Sequence, residues 1–336
     1  MHVGYETNPR RRDIGYHNIF DHYGEILKST KSIADGSHFH YHPRPFSLSA
    51  HHNATRYFAH SNDIFQVLAR RVIDRKWFPC VYRPGHHVIR PDSHWFLEQY
   101  IPFDFSNQSC REETKQPDLH NGRFGDWRNA PMTWEPYHPD HDNYQIKGDC
   151  RRLIIRCLNV GTRTKNITQE DVNQAFFEAT EGKPVILSFT NHDFRNMKPD
   201  IALIGDLLSN AVSKYPDIGF QFCEAREAAR LAHKMEKKLT CNMSLKLEKN
   251  YLTIESDSST FGPQPFFAIK TKCEKYFYDN LDFQTPFKSW SYVFDEQTIP
   301  LCAIESIGIA TNDSYGNTTV ATMDVVNDYR VETLHY

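Results

Sequence analysis

From its start to about residue 236 the chain alternates short apolar runs with amphipathic stretches. VGYE near the start reads as a short strand, NIFDHYGEILKS as a helix with Ile19, Tyr23, Ile26 and Leu27 on one face, and GSHFHYH as the next strand. DIFQVLARRVIDRK has helical spacing, with Asn62 or Asp63 as its cap, and leads into the apolar run WFPCVYR. PDSHWFLEQY is a helix with proline at its first position, and IPFDF follows as a strand. RRLIIRCL and PVILSFT are apolar enough for buried strands. Between them TQEDVNQAFFEATEG is a helix started by Thr168 and ended by Gly182. KPDIALIGDLLSNAVSKY as a helix, IGFQFC as a strand and EAREAARLAHKMEKK as a helix complete the series. Repeated strand–helix–strand units imply a mostly parallel sheet, open or closed into a barrel.

Two stretches break this rhythm. Residues 108–150 hold Trp127, Trp134 and the run YHPDHDNY without a period, which predicts a functional excursion from the sheet. After Lys238 the period becomes two, in LTIES, FFAIKTK, YFYD, SYVF, AIESIGIA and TTVATMD, with turn residues such as SYGN between runs. The expected fold class is therefore α/β: a distorted or incomplete (β/α) barrel over residues 1–238, with the excursion 108–150, and a C-terminal all-β sandwich over residues 239–336.

Composition narrows the function. A net charge of -3 lacks the basic excess that phosphate neutralisation needs, so nucleic acid is not an expected partner. No window approaches the roughly 18 apolar residues of a membrane span, and the first residues lack the basic and apolar regions of a secretory leader. The cytoplasm is the expected compartment. Eight cysteines without a CxxC pair fit reduced, buried thiols rather than a disulfide framework. Aromatic residues make up 13% of the chain, enough to supply flat faces for a sugar ligand as well as a core.

Candidate chemistry lies in HFHYHPRP, His38 to Pro45. On a strand, His38, His40 and His42 project from one face, so two imidazoles can reach one first-row divalent ion.

HYHP after a strand, then VYRPGHH, then PFDFSN, then SFTNHD together resemble, in order, the motifs of the polysaccharide deacetylase family of carbohydrate esterases, over about residues 1–236. That resemblance implies a distorted (β/α) barrel and a divalent metal, zinc first among them, held by one aspartate and two histidines. The usual H-[ST]-x-x-H-P wording would match His38 and His42, with Phe39 in place of the hydroxyl residue; a shorter H-x-H-P would match His40 and His42. His42 is a ligand in both versions, and His40 is its favoured partner. Arg83 resembles the arginine that orients the catalytic aspartate, Asp104 the later acidic motif, and His192 the histidine that protonates the leaving group. Asp193 and Arg195 beside it, with Trp127 and Trp134 of the excursion, would touch substrate. The family begins with a strand ending in two aspartates, the general base and the third metal ligand. MHVGYE resembles the second strand instead, so the chain is expected to start after the first, and either to form a homo-oligomer through the open barrel edge or to be marginally soluble. The implied activity is metal-dependent hydrolysis of an N-acyl or O-acyl group on a carbohydrate.

Two other readings compete. His138 and Asp140 form an H-x-D, the near half of an iron-binding facial triad. A non-catalytic glycan-binding protein on a degenerate deacetylase fold is the other alternative, in which the aromatic excursion grips sugar without turnover.

Overall fold

The computed structural model describes residues 16–30, 35–42, 63–111, 125–162, 164–192, 196–235 and 241–336. VGYE, Asp193 and Arg195 lie outside the described residues. The chain divides into two compact units. The first takes Met1–Arg56, Val81–Pro91 and Phe103–Met235, and the second takes Tyr57–Cys80, Asp92–Pro102 and Glu236–Tyr336.

The first unit is built on a curled parallel sheet of five strands, an incomplete barrel. Its order follows the chain: β1 (Phe39–Tyr41), β2 (Val81–Pro84), β3 (Phe103–Asn107), β4 (Leu153–Asn159) and β5 (Ser188–Thr190). Every residue of β3 and β4 is buried, which is why LIIRCL reads as a continuous apolar run. Helix α1 (Tyr16–Thr30) precedes the sheet; α4 (Gln169–Thr180), α5 (Lys198–Lys214) and α6 (Ala225–Ala232) alternate with or follow its later strands. Thr168 starts α4 with a capping box: its hydroxyl accepts from the Asp171 amide while the Asp171 carboxylate accepts from the Thr168 amide. Val172, Phe176, Leu207 and Leu208 of α4 and α5 pack with Leu158 and Val160 beside Trp134.

IGFQFC departs from the expected strand. Residues 218–223 pair with no strand among the described residues, and Phe220 and Phe222 stand 50% and 72% exposed. Apolar alternation makes a strand only where a neighbouring backbone completes the ladder, and here β1 and β5 are the sheet edges among the described residues.

The second unit holds two antiparallel sheets in the orders β10-β11-β7-β6 and β14-β13-β12-β8-β9. The first comprises β6 (Met243–Glu248), β7 (Tyr251–Ser256), β10 (Asp282–Thr285) and β11 (Ser289–Val293). The second comprises β8 (Phe266–Thr271), β9 (Tyr276–Asp279), β12 (Ile304–Asn312), β13 (Thr318–Asp324) and β14 (Arg330–His335). Leu252, Ile254 and Trp290 from one sheet and Phe267, Ile307, Ile309 and Met323 from the other share a core, the packing of a sandwich. A third layer covers the five-stranded sheet. Helix α2 (Asp63–Arg75), with Ile64, Leu68 and Val72 buried, packs on β8, β9 and β12, and α3 (Pro91–Tyr100) belongs to the same unit. A Cβ on Gly308 would come within 2.6 Å of Val72 Cγ1, so the bare glycine lets helix and sheet approach. Sequence periodicity assigns α2 and α3 to the barrel because they alternate with its strands; the contacts assign them to the sandwich unit, because its outer sheet face supplies the apolar surface they need.

No helix among the described residues is long and apolar enough to cross a membrane.

Candidate functional site

Strand alternation brings the histidines together. Phe39 and Tyr41 are only 2% and 1% exposed, which turns His38, His40 and His42 to the other face. His40 and His42 converge, Nε2 to Nε2, at 2.8 Å. His40 Nδ1 donates to the Arg83 carbonyl oxygen at 2.8 Å, which fixes the tautomer and leaves Nε2 as the lone-pair nitrogen. Burial, with His42 and Arg83 beside it, holds His40 well below the usual imidazole range, so it is neutral, the form a metal ligand needs. His38 does not join them: its Nε2 lies 2.7 Å from the Glu224 carboxylate at the start of α6.

Arg83 stands opposite His40 across the β1–β2 ladder. Strand β2 then runs into RPGHH, whose turn at Gly85–His87 carries two histidines that the sequence motifs passed over. His86 and His87 have φ of 51° and 52°, left-handed backbone that a β-carbon disfavours. Consecutive strain of this kind is held only where surrounding contacts fix it. The His86 ring stands edge-on to His42 with centroids 5.4 Å apart. His87 is buried, its Nδ1 donating to the Ser106 carbonyl oxygen at 3.2 Å and its Nε2 accepting from Arg83 Nη2 at 3.2 Å. A Cβ on Gly85 would fall 2.2 Å from His42 Nδ1, so the turn needs glycine for the ring to sit against it. Doubled histidine after Arg-Pro-Gly is the signal that could have pointed to this turn.

Other expected site residues lie elsewhere. Asp104 is fully buried and paired with Arg152, also fully buried, and it accepts from the Ser106 hydroxyl. It stands opposite Tyr82, on the sheet face away from His40 and Arg83, so it does not join them. Burial lifts its carboxyl above the ordinary value while Arg152 pulls the other way. Trp127 and Trp134 are both 0% exposed and cannot stack on a sugar. The Trp127 indole N–H donates to the His87 carbonyl oxygen and that of Trp134 to the Asp171 carbonyl oxygen, each at 2.8 Å. Arg156 lies over the Trp134 ring, 4.4 Å from its centroid. These rings, with the buried Tyr137, anchor the polar excursion to the core. The H-x-D does not assemble an iron site either. Asp140 accepts from the amides of Asp142 and Asn143 as a turn residue, and His138 Nδ1 lies 2.8 Å from the Cys150 carbonyl oxygen. His192 is exposed just beyond β5, with its amide donating to Asn191 Oδ1 at 2.6 Å.

Among the described residues no group of three or more metal-binding side chains gathers. The arrangement is a pair of imidazoles at the end of a parallel strand, backed by one arginine and a strained histidine turn.

Comparison of the chain with protein-family models, with curated proteins and with solved structures finds no match in any of the three.

Proposed function

We propose that the protein is a metal-dependent hydrolase that removes an N-acyl or O-acyl group from a carbohydrate. One observation carries this reading: His40 and His42 converge at 2.8 Å with the His40 tautomer set by a backbone carbonyl. They lie at the C-terminal end of a parallel strand, where α/β folds place their sites. The order of the HYHP, RPGHH and SFTNHD motifs supports the same class of chemistry.

The pair supplies two of the three protein ligands that a catalytic ion of the zinc type takes. Two nitrogens 2.8 Å apart can both lie about 2.0–2.1 Å from one ion. His40 and His42 would hold it, and a bound ion of this kind polarises an acyl carbonyl and acidifies a water. The remaining roles fall to the chain. Arg83 puts a fixed positive charge beside the pair, suited to steady negative charge developing on the acyl oxygen. His192, beyond the end of β5, would protonate the departing amine or alcohol.

Calorimetric titration with zinc, beside acetate release from N-acetylated sugars, tests the proposal. His40→Ala and His42→Ala should each weaken zinc binding at least about tenfold and abolish release, whereas His38→Ala should leave zinc binding close to the parent. Equal loss in His38→Ala, or release that survives a chelator, overturns the assignment. Sugar binding that persists under chelation without any release would instead identify a glycan-binding protein.

A further inference from the structure

A cavity of about 730 Å³ opens in the first unit between the parallel sheet, α4, residues 218–223 and α6. Its walls are apolar, with Phe105, Phe176, Leu208, Phe220, Phe222 and Leu231 among them. Three lining side chains can carry positive charge, and two of these are already matched. His38 lies 2.7 Å from Glu224, and Lys183 Nζ lies 2.6 Å from Glu181. The third is Arg83.

A hydrogen-bond count at Arg83 leaves it short of acceptors. Guanidinium offers five N–H donors and accepts nothing. Nη2 donates to His87 Nε2 at 3.2 Å. Nη1 is 3.2 Å from His40 Nδ1, but that nitrogen carries the proton it gives to the Arg83 carbonyl oxygen, so two donors face each other there. Nε is shut off from solvent and makes no hydrogen bond. Its remaining partner is the Cys157 sulfur, a weak acceptor whose thiol burial pushes up and so keeps neutral. Among the described residues no carboxylate pairs with this arginine. A half-buried cation without an anion, with its Nε closed to solvent, is poised to meet one.

We propose that the cavity binds a small amphiphilic carboxylate, its head group on Arg83 and its apolar body along the phenylalanine and leucine walls. One unmatched guanidinium suits a single negative charge, and its planar fork matches a carboxylate. The volume lies within the range of about 300–1,000 Å³ that holds a ligand of drug-like size. Arg83 is shared with the hydrolase reading, but binding here is read without metal or turnover, so either reading can fail alone.

Isothermal titration of the full chain with decanoate and with decanol, below their micellar or solubility limits, supplies the test. Decanoate should bind at least about tenfold more tightly than decanol, the advantage of a charge-assisted bidentate contact. Arg83→Gln should bring decanoate down to the affinity of the alcohol and leave the alcohol unchanged. Ala228→Trp, which puts an indole into the cavity from α6, should weaken both. Equal affinities of acid and alcohol, or an Arg83→Gln variant that binds decanoate like the parent, overturn the role of the charge. Absence of decanoate binding, or indifference to Ala228→Trp, overturns the cavity as the site. If Arg83→Gln does not fold, the acid–alcohol difference in the parent and the Ala228→Trp result still decide.

Discussion

Arg83 lies on β2 and Arg152 immediately before β4 of the same parallel sheet, yet they point to opposite faces and into different company. Tyr82 stands opposite Asp104 and His40 opposite Arg83, so alternation along β2 sends one neighbourhood to each side. On the first face Arg152 meets a carboxylate, and both partners are 0% exposed. On the second, Arg83 meets imidazoles, a thiol and an apolar cavity. Asp104 and Arg152 complete each other and need nothing from outside. Arg83 remains incomplete, and incompleteness held in place by a folded sheet is what marks a binding face.

Breaking the complete side should cost most. Asp104→Ala leaves the buried Arg152 guanidinium uncompensated, and urea unfolding should show a loss of about 3–5 kcal/mol. Zinc and decanoate binding by the fraction that remains folded should be unchanged, because the carboxylate faces away from both.

The Glu224–His38 pair at the cavity wall is an intermediate case. Burial alone would raise the Glu224 carboxyl, but the hydrogen bond and charge of His38, together with the amide and guanidinium of Arg226, hold it down at about 2. A depressed carboxyl contributes stability above its unfolded value of 4.5 and loses it as pH falls from there towards 2. Glu224→Gln should therefore lose on the order of 1–2 kcal/mol at neutral pH and show a flatter acid limb, read by thermal melts across that window.

The incomplete side should respond least, and with the opposite sign. Arg83→Met removes a half-buried cation that no carboxylate pairs among the described residues, so the variant should gain about 1 kcal/mol in urea unfolding while losing its preference for decanoate. A loss of several kcal/mol would mean that Arg83 is a structural partner like Arg152, and the comparison between the two faces would collapse.

Legibility in the sequence follows the same physics. Parallel strands buried on both faces announce themselves as apolar runs, so the β4 segment is plain in RRLIIRCL. Strands β10 and β14 are exposed along nearly their whole length at sheet edges, and there the period-two signal fails. The pairing of His40 with His42 is visible in the spacing, because alternation alone determines it. The burial of Trp127 and Trp134 is not, since a tryptophan in a polar loop has the same letters whether it anchors the loop or meets a ligand. Asp104 shows the limit most clearly: its partner Arg152 lies 48 residues away, just before the next strand of the sheet, and no local pattern announces which face either side chain takes.

Helices α2 and α3 belong to the unit whose sheets are encoded far downstream. During synthesis the buried side of α2, with Leu68 and Val72, leaves the ribosome long before β12 and β13 exist to cover it. At ~5–20 residues per second that wait lasts on the order of ten seconds or more, far longer than a helix needs to form. A greasy helix surface exposed for that time is a substrate for chaperones. Expressing residues 239–336 alone would in turn strip the outer sheet of its helical cover, so the natural cut between barrel and sandwich suggested by the sequence is a poor place to divide the gene.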